Sequence, residues 1–306
     1  MGEGDKSPRS GSRRSSRRPR LNAMNLLNIG YCFLSTLFNV GIGLCGMFGL
    51  PTYAVQSARF PTIISPSPYF ITAIYPVIFA TQGIFTIFQV TPVLRARPQV
   101  QDGVKYYYGL ASFMQVLYTL TYNTEMLVAA VPFAFGVVAS LRSLVKSQNE
   151  AQADNSWAEY WLLRFPFQLH LGWMYFVSLL TLQNAFVFVN FSNPVQMIGG
   201  GVSIGIMIIL SLYHLFWASK PLGIVPPVIF YAAAGIVLEY FMPSSGHVRG
   251  QFHYHTVLIF MWASIAVAAL LLVLNVLVGC RKCCCRKSND SEETGAYVNA
   301  DKIEVV

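Results

Sequence analysis

The sequence predicts an all-α, polytopic transmembrane bundle of about eight spans with both termini cytoplasmic, and three observations predict it. Of 306 residues, 54% are hydrophobic and only 11% are charged, whereas a soluble domain carries about a quarter charged residues. The charges also cluster. Uncharged runs of 38 residues separate Arg20 from Arg59, 35 separate Arg59 from Arg95, 55 separate Arg164 from Lys220, and 31 separate Arg249 from Arg281. Roughly 20 residues cross the hydrocarbon at about 1.5 Å each. Thirdly, the basic residues alternate in step with the spans, as set out below. This composition excludes a secreted domain, a cytosolic enzyme and a nucleic-acid-binding module, and makes the pI of about 9.2 a matter of topology first.

Proline, glycine and polar breaks divide the runs into eight spans. The first is Leu26 to Gly49, where Gly43, Gly46 and Gly49 suggest a small-residue seam. The second, Tyr69 to Val90, follows a Pro-rich lead-in. The third is Val104 to Tyr122. The fourth, Met126 to Lys146, has only 16 uncharged residues and reaches bilayer length if Arg142 and Lys146 snorkel. In the 55-residue run, Asn190-Phe-Ser-Asn-Pro194 is a turn that stops a helix before its proline, leaving Pro166 to Asn190 and Ile198 to Trp217. Gly201 and Gly205 suggest a second seam there. The last two are Gly223 to Met242 and Tyr254 to Gly279.

With the N-terminus inside, 19 Lys and Arg residues are cytoplasmic and only Arg59 and Arg249 are outside. A seven-span receptor breaks that alternation. Trp157, Trp161 and Trp217 fall at the same cytoplasmic boundary, where amphipathic rings settle. The first apolar run is too long for a cleaved signal peptide and reads as a signal-anchor. Lys6 occupies the position where a myristoylation motif wants Ser or Thr.

Residues 1 to 25 form a basic cytoplasmic arm with seven Lys and Arg in its first 20 positions, a composition that does not fold alone. Its charges set orientation and attract the anionic cytoplasmic leaflet. Phosphorylation at Ser15 or Ser16 weakens that attraction. Residues 280 to 306 form a Cys-rich, then acidic tail, in which Cys280, Cys283, Cys284 and Cys285 stand among basic residues at headgroup level. That setting suits S-acylation better than zinc, for which no second ligand pair is supplied. The terminal Val305-Val306 has the form of a groove-binding carboxylate, though such endings are common. Neither Asn190-Phe-Ser192, against the membrane, nor Asn289-Asp-Ser291, on the cytoplasmic side, is expected to carry a glycan.

Ionisable groups inside the bilayer are costly and draw attention first. Glu239, near the outer end of the seventh span, begins an outer-mouth cluster with Arg249, His253 and His255, with Glu125 at the same level. A cation or proton site is one reading, and a Glu239–Arg249 ion pair is the simpler one. His170 and His214 fall at the same cytoplasmic depth on consecutive antiparallel spans. Bis-His haem ligation needs them to face each other, and hydrogen-bonded interfacial histidines are the plainer expectation. No nucleophile elbow, phosphate loop or paired catalytic carboxylates appear, so no enzyme is expected.

Two stretches carry a family resemblance. Phe60-Pro-Thr-Ile-Ile-Ser-Pro66 continues through Ile74-Tyr75, Gly83, Ile84-Phe85 and Ile87-Phe88-Gln89, and Pro166-Phe-Gln-Leu-His-Leu-Gly-Trp173 opens the fifth span. Both are similar to the tryptophan-rich sensory protein and translocator protein family, in particular its longer members of roughly eight helices. The resemblance implies a five-helix bundle over residues 26–190, with residues 191–279 adding three helices. It also implies a cavity between the second and fifth spans that takes tetrapyrroles, sterols or aromatic drugs. Tyr75, Phe79, Gln82, Trp173, Thr181 and Asn184 then line or support that cavity, with Tyr75, Phe79 and Thr181 standing where the family has Trp, Tyr and Asn. Tyr75, Gln82 and Gln89 at spacing seven share one helix face, and Trp173, Gln183 and Asn184 do so loosely.

The expected function is therefore binding or transport of an apolar or amphipathic small molecule, tetrapyrrole- or sterol-like, in the bundle cavity. No cofactor is required, and haem or porphyrin enters only as a ligand. The expected partners are membrane lipids and that ligand, in a plasma membrane or endomembrane of a eukaryotic cell. The competing expectation is an acylated scaffold or signalling component acting through its tails.

Overall fold

In a computed structural model of the protein, residues 23–95, 97–152, 156–217, 223–241, 250 and 252–300 are described, with side chains through 278 except at 93. No strand occurs among them. The helices are α1 (Ala23–Leu44), the short α2 (Tyr53–Arg59), α3 (Pro68–Phe88), the single turn α4 (Pro92–Arg95), α5 (Tyr107–Asn123), α6 (Leu127–Glu150), α7 (Trp157–Phe188), α8 (Asn193–Trp217), α9 (Val225–Phe241) and α10 (Tyr254–Ala300). Six of them, α1, α3, α6, α7, α8 and the Tyr254–Val278 part of α10, are long and apolar enough to cross a membrane, and α9 is a shorter apolar helix. The predicted third span is α5, whose 17 residues reach only about 25 Å.

The edges differ from expectation for identifiable reasons. The first span ends at Leu44, because Gly46 and Gly49 take φ of 66° and 72° and turn the chain. They are therefore turn glycines and form no helix seam. α7 begins nine residues before Pro166. Its Tyr160–Arg164 turn is π-helical and the α register resumes at Phe165, which puts Pro166 in a first turn, where its missing N–H costs nothing. The predicted turn at Asn190 is present, with that residue at φ 56° and Pro194 in the first turn of α8. α10 continues past Gly279 to Ala300 through a segment without proline.

Membrane helices gain little from burying apolar surface against one another, and this bundle is built accordingly. α1 exposes Leu26, Phe33 and Leu37 and buries Asn25, Asn28, Ser35 and Asn39. These four fall at intervals of three, seven and four, on one helix face. α5 does the same, burying Ser112, Gln115, Thr119 and Asn123 while Leu110 and Phe113 face outward. α5 pairs with α6 along its length, α6 packs on α7, and α9 packs on α7 and α10. Residues from the expected five-helix part and from the three added helices share one core cluster. Across that line, Tyr231 donates to the carbonyl of Phe70 at 3.0 Å, Tyr240 to that of Ile63, and Ser67 N–H to that of Gly235 at 2.9 Å.

The expected Gly201–Gly205 seam is not formed. Gly205 has nothing within 4 Å of where a Cβ would stand, and Gly201 only Phe260 at 4.0 Å, whereas the neighbouring Gly200 would meet Ile63 at 2.1 Å. Trp157, Trp161 and Trp217 are exposed rings at the basic end of the bundle. Ser15, Ser16 and Arg249, together with the side chains of Cys280, Cys283, Cys284 and Cys285, lie outside the described residues.

Candidate functional site

Tyr53, the first residue of α2, enters the bundle from a seven-residue helix that is no part of any span. Thr52 caps that helix by accepting from the Val55 N–H at 3.3 Å. The Tyr53 ring stacks on Tyr75 of α3, with centroids 4.8 Å apart and planes 19° from parallel. It lies 6.2 Å from Tyr118 and 6.0 Å from Tyr122, both on α5. Tyr75 meets Trp173 of α7 edge-on at 6.0 Å and stacks on Phe79 at 6.2 Å. Ring pairs at these distances and angles are favourable beyond the area they bury. Ile71, Val177 and Leu180 complete an aromatic box enclosing about 10 Å³, near the room one water needs.

Hydrogen bonds hold this box. Asn39, in the π-helical last turns of α1, offers one carbonyl oxygen to three donors: Tyr53 Oη at 2.7 Å, Gln115 Nε2 at 2.8 Å and Thr119 Oγ1 at 2.9 Å. Its own Nδ2 donates back to Ser35 O at 2.8 Å. From these turns Asn39 faces α5. Burial, and then the neighbouring Tyr75, push the Tyr53 phenol well above its ordinary value, so it stays a neutral donor. α2 is also tied to α5 by Gln56 Nε2, donating to Tyr122 O at 3.1 Å, and to the turn after α5 by an ion pair between the half-exposed Arg59 and Glu125. Gly43 allows the approach, since a Cβ there would stand 2.2 Å from the Tyr53 ring.

Below the box toward the basic end, Gln82 Nε2 donates to His170 Nδ1 at 2.8 Å, and Tyr108 Oη reaches Gln82 Oε1 at 3.4 Å. The acceptor at Nδ1 places the ring proton of His170 on Nε2. One step further, Asn28 Nδ2 donates to Gln89 Oε1 at 3.0 Å. Tyr75, Gln82 and Gln89 thus share one buried face of α3, as their spacing predicts.

The six expected cavity residues gather in this region. Tyr75 and Trp173 line the box, and Phe79 joins Tyr75 to the His170 ring at 6.2 Å. Gln82 holds His170, Asn184 Nδ2 donates to Tyr122 Oη at 2.7 Å, and Thr181 Oγ1 reaches Tyr118 Oη at 3.4 Å. Gln183 separates from them, because its amide points to Ser203 of α8 at 3.3 Å.

The two histidines are brought together neither with each other nor with the interface. His170 is 3% exposed and faces α3, while His214 is 6% exposed, lies by the Tyr175 ring, and has no hydrogen-bond partner at either nitrogen. His170 and Tyr175 are five residues apart and so sit on different sides of α7, which removes the bis-His arrangement. In the outer-mouth cluster, the His253 and His255 rings stack at 5.6 Å. Glu239 is 9% exposed with no ion pair among the described residues, and its expected partner Arg249 lies outside them. No group of three or more His, Cys, Asp or Glu that could hold a metal occurs among the described residues.

Sequence reasoning missed Tyr53, Tyr118, Tyr122 and Asn39. The signal for Asn39 was the polar stripe along α1, visible in its spacing. For Tyr53 there was none, since a seven-residue helix between spans has no period to detect.

What the box can do follows from atoms that lack partners. Trp173 Nε1, His170 Nε2 and Asn184 Oδ1 are enclosed without a hydrogen bond. Of these only Trp173 lines the box and offers it a donor, while His170 lies below it and Asn184 holds the Tyr122 hydroxyl. Buried polar groups left unpaired cost about 1–3 kcal/mol each, and one or two such groups among aromatics are what orient an amphipathic ligand in a pocket.

A model of the TSPO-like protein family matches residues 25–277, from the first turn of α1 into the apolar part of α10. No curated protein and no solved structure matches the chain significantly.

Proposed function

The chain belongs to the TSPO-like protein family, and on that premise we propose that this multi-pass membrane protein binds or transports an apolar or amphipathic small molecule, tetrapyrrole- or sterol-like, at the Tyr53–Tyr75–Trp173 box. The observation that carries the proposal is one small space lined by five aromatic rings, with Trp173 Nε1 on its wall left without a hydrogen bond.

A space of about 10 Å³ admits no ring-shaped ligand, so binding needs an opening. α2 is the element that can supply it. Seven residues long and outside the spans, it contributes the Tyr53 ring and is tied to α1, α5 and the turn after α5 by polar contacts. Withdrawing Tyr53 removes one wall of the box without separating any two spans. The α7 wall, with Trp173 fully buried, then presents its Nε1 to the polar edge of the ligand. Transport would follow from release on a second path, and binding is the step this geometry supports.

Equilibrium binding of protoporphyrin IX and of a sterol to the purified, detergent-solubilised protein tests the proposal. Saturable binding of one of them, weakened about tenfold or more by Trp173→Ala, is expected. Absence of saturable binding for both ligand classes overturns it.

A further inference from the structure

Arg95 ends α4, the turn that follows α3 at the basic end of the bundle, and it is 8% exposed. Its backbone is fixed: its N–H donates to Thr91 O at 2.9 Å, and its carbonyl accepts from Gln101 Nε2 at 2.8 Å. Its guanidinium has no carboxylate among the described residues. Glu159, itself 2% exposed, accepts from Gln99 Nε2 and lies 3.9 Å from Arg97 Nη1. Glu150 pairs with Lys146, and Glu125 with Arg59 at the opposite end. The Arg95 Nε is enclosed with no acceptor.

A guanidinium cannot shed its proton to escape burial, and a buried unpaired charge is strongly unfavourable unless an opposite charge meets it. Two more donors at this end also lack acceptors: Gln89 Nε2 at the end of α3, and Arg164 Nε in the Tyr160–Arg164 turn that packs against α3. Along the chain at this end Arg95, Arg97, Lys105, Arg142 and Arg164 stand against Asp102 and Glu159 among the described residues outside the Lys146–Glu150 pair, so positive charge is in surplus. A few residues beyond the end of a span, this is also the level of lipid headgroups.

We infer that Arg95 anchors an anion site at the basic end of the bundle that takes a phosphate group, supplied by a lipid headgroup or by free phosphate. Its planar fork of donors matches two oxygens of a tetrahedral anion. The site lies apart from the aromatic box and stands whether or not that box binds a ligand. It is also separate from the diffuse attraction of the N-terminal arm to an anionic leaflet, because it depends on a single buried side chain.

The test uses the full-length protein in detergent with phosphatidate, phosphatidylcholine and inorganic phosphate as probes, read by native mass spectrometry and thermal unfolding. Wild type is expected to retain phosphatidate in preference to phosphatidylcholine. Arg95→Gln should retain it at least tenfold less, Arg95→Lys to an intermediate degree, and Lys146→Gln, whose side chain is 77% exposed, as wild type does. Inorganic phosphate that displaces the lipid identifies the phosphate alone as the group recognised, whereas failure to displace it identifies the lipid as the source. Without any phosphate, Arg95→Gln should unfold no earlier than wild type, since it removes an uncompensated charge. Equal phosphatidate retention by Arg95→Gln, equal loss in Lys146→Gln, or early unfolding of Arg95→Gln in phosphate-free detergent overturns the inference.

Discussion

Tyr53 and Tyr75 stack with ring centroids 4.8 Å apart and planes 19° from parallel, although one belongs to a seven-residue helix outside the spans and the other to a 21-residue span. The contact joins a short helix outside the spans to the buried face of α3. Stability of the bundle and closure of the box are therefore linked through one side chain, and the predictions below separate the two.

Tyr53→Phe keeps the ring and removes the hydroxyl that bonds Asn39 and Thr119, both at 2.7 Å. A stability loss of about 1–2 kcal/mol is expected, the cost of one or two buried hydrogen bonds. Association with a ligand should become faster, because α2 loses its firmest tie. Thermal unfolding in detergent and stopped-flow binding measure the two effects, and slower association would contradict the role given to α2.

Asn39→Leu leaves Tyr53 Oη, Gln115 Nε2 and Thr119 Oγ1 without their shared acceptor. Interhelical hydrogen bonds in membranes average about 0.6 kcal/mol; Thr119 keeps Gln115 O at 2.8 Å and Tyr53 keeps Thr119 at 2.7 Å, so the one amide donor left orphaned, that of Gln115, should cost about 1–3 kcal/mol. Asn39→Asp keeps an oxygen acceptor and should show whether the amide's own donation to Ser35 matters. Comparing the two unfolding curves checks the assignment.

Gly43→Ala and Gly205→Ala form a matched pair. The first places a methyl 2.2 Å from the Tyr53 ring, and the second meets nothing within 4 Å. Overpacking at Gly43 should cost about 1–3 kcal/mol, whereas Gly205→Ala should be neutral or stabilising by up to about 1 kcal/mol through helix propensity. Equal effects would show that the close approach of α1 and α2 is unimportant.

Much of the fold was legible because hydrocarbon thickness imposes a length that polar breaks either allow or interrupt. The turn at Asn190 and the helix beginning at Pro194 follow from local backbone chemistry and appear as expected. Patterns whose meaning depends on the neighbour were less legible. Gly46 and Gly49 recur at spacing three but lie beyond the helix end, and Gly201 faces nearly open space. The spacing of Tyr75, Gln82 and Gln89 gave their shared face correctly, since one helix decides it. Their partners Tyr53, His170 and Asn28 come from three other elements, which no single-helix period reveals. Arg95 illustrates the reverse case, in which a residue useful as a marker of orientation conceals a burial that only packing shows.

The central claim is that the aromatic box around Trp173 is a ligand site closed by Tyr53. The most direct measurement is fluorescence titration of a variant in which Trp157, Trp161, Trp217 and Trp262 are Phe, so that emission comes from Trp173 alone. Protoporphyrin IX or a fluorescent sterol should quench it saturably. Asn184→Leu should weaken the effect about tenfold, and Tyr53→Phe should speed its onset. Quenching that rises linearly with ligand and is the same in all three proteins, as partitioning into detergent produces, would contradict it.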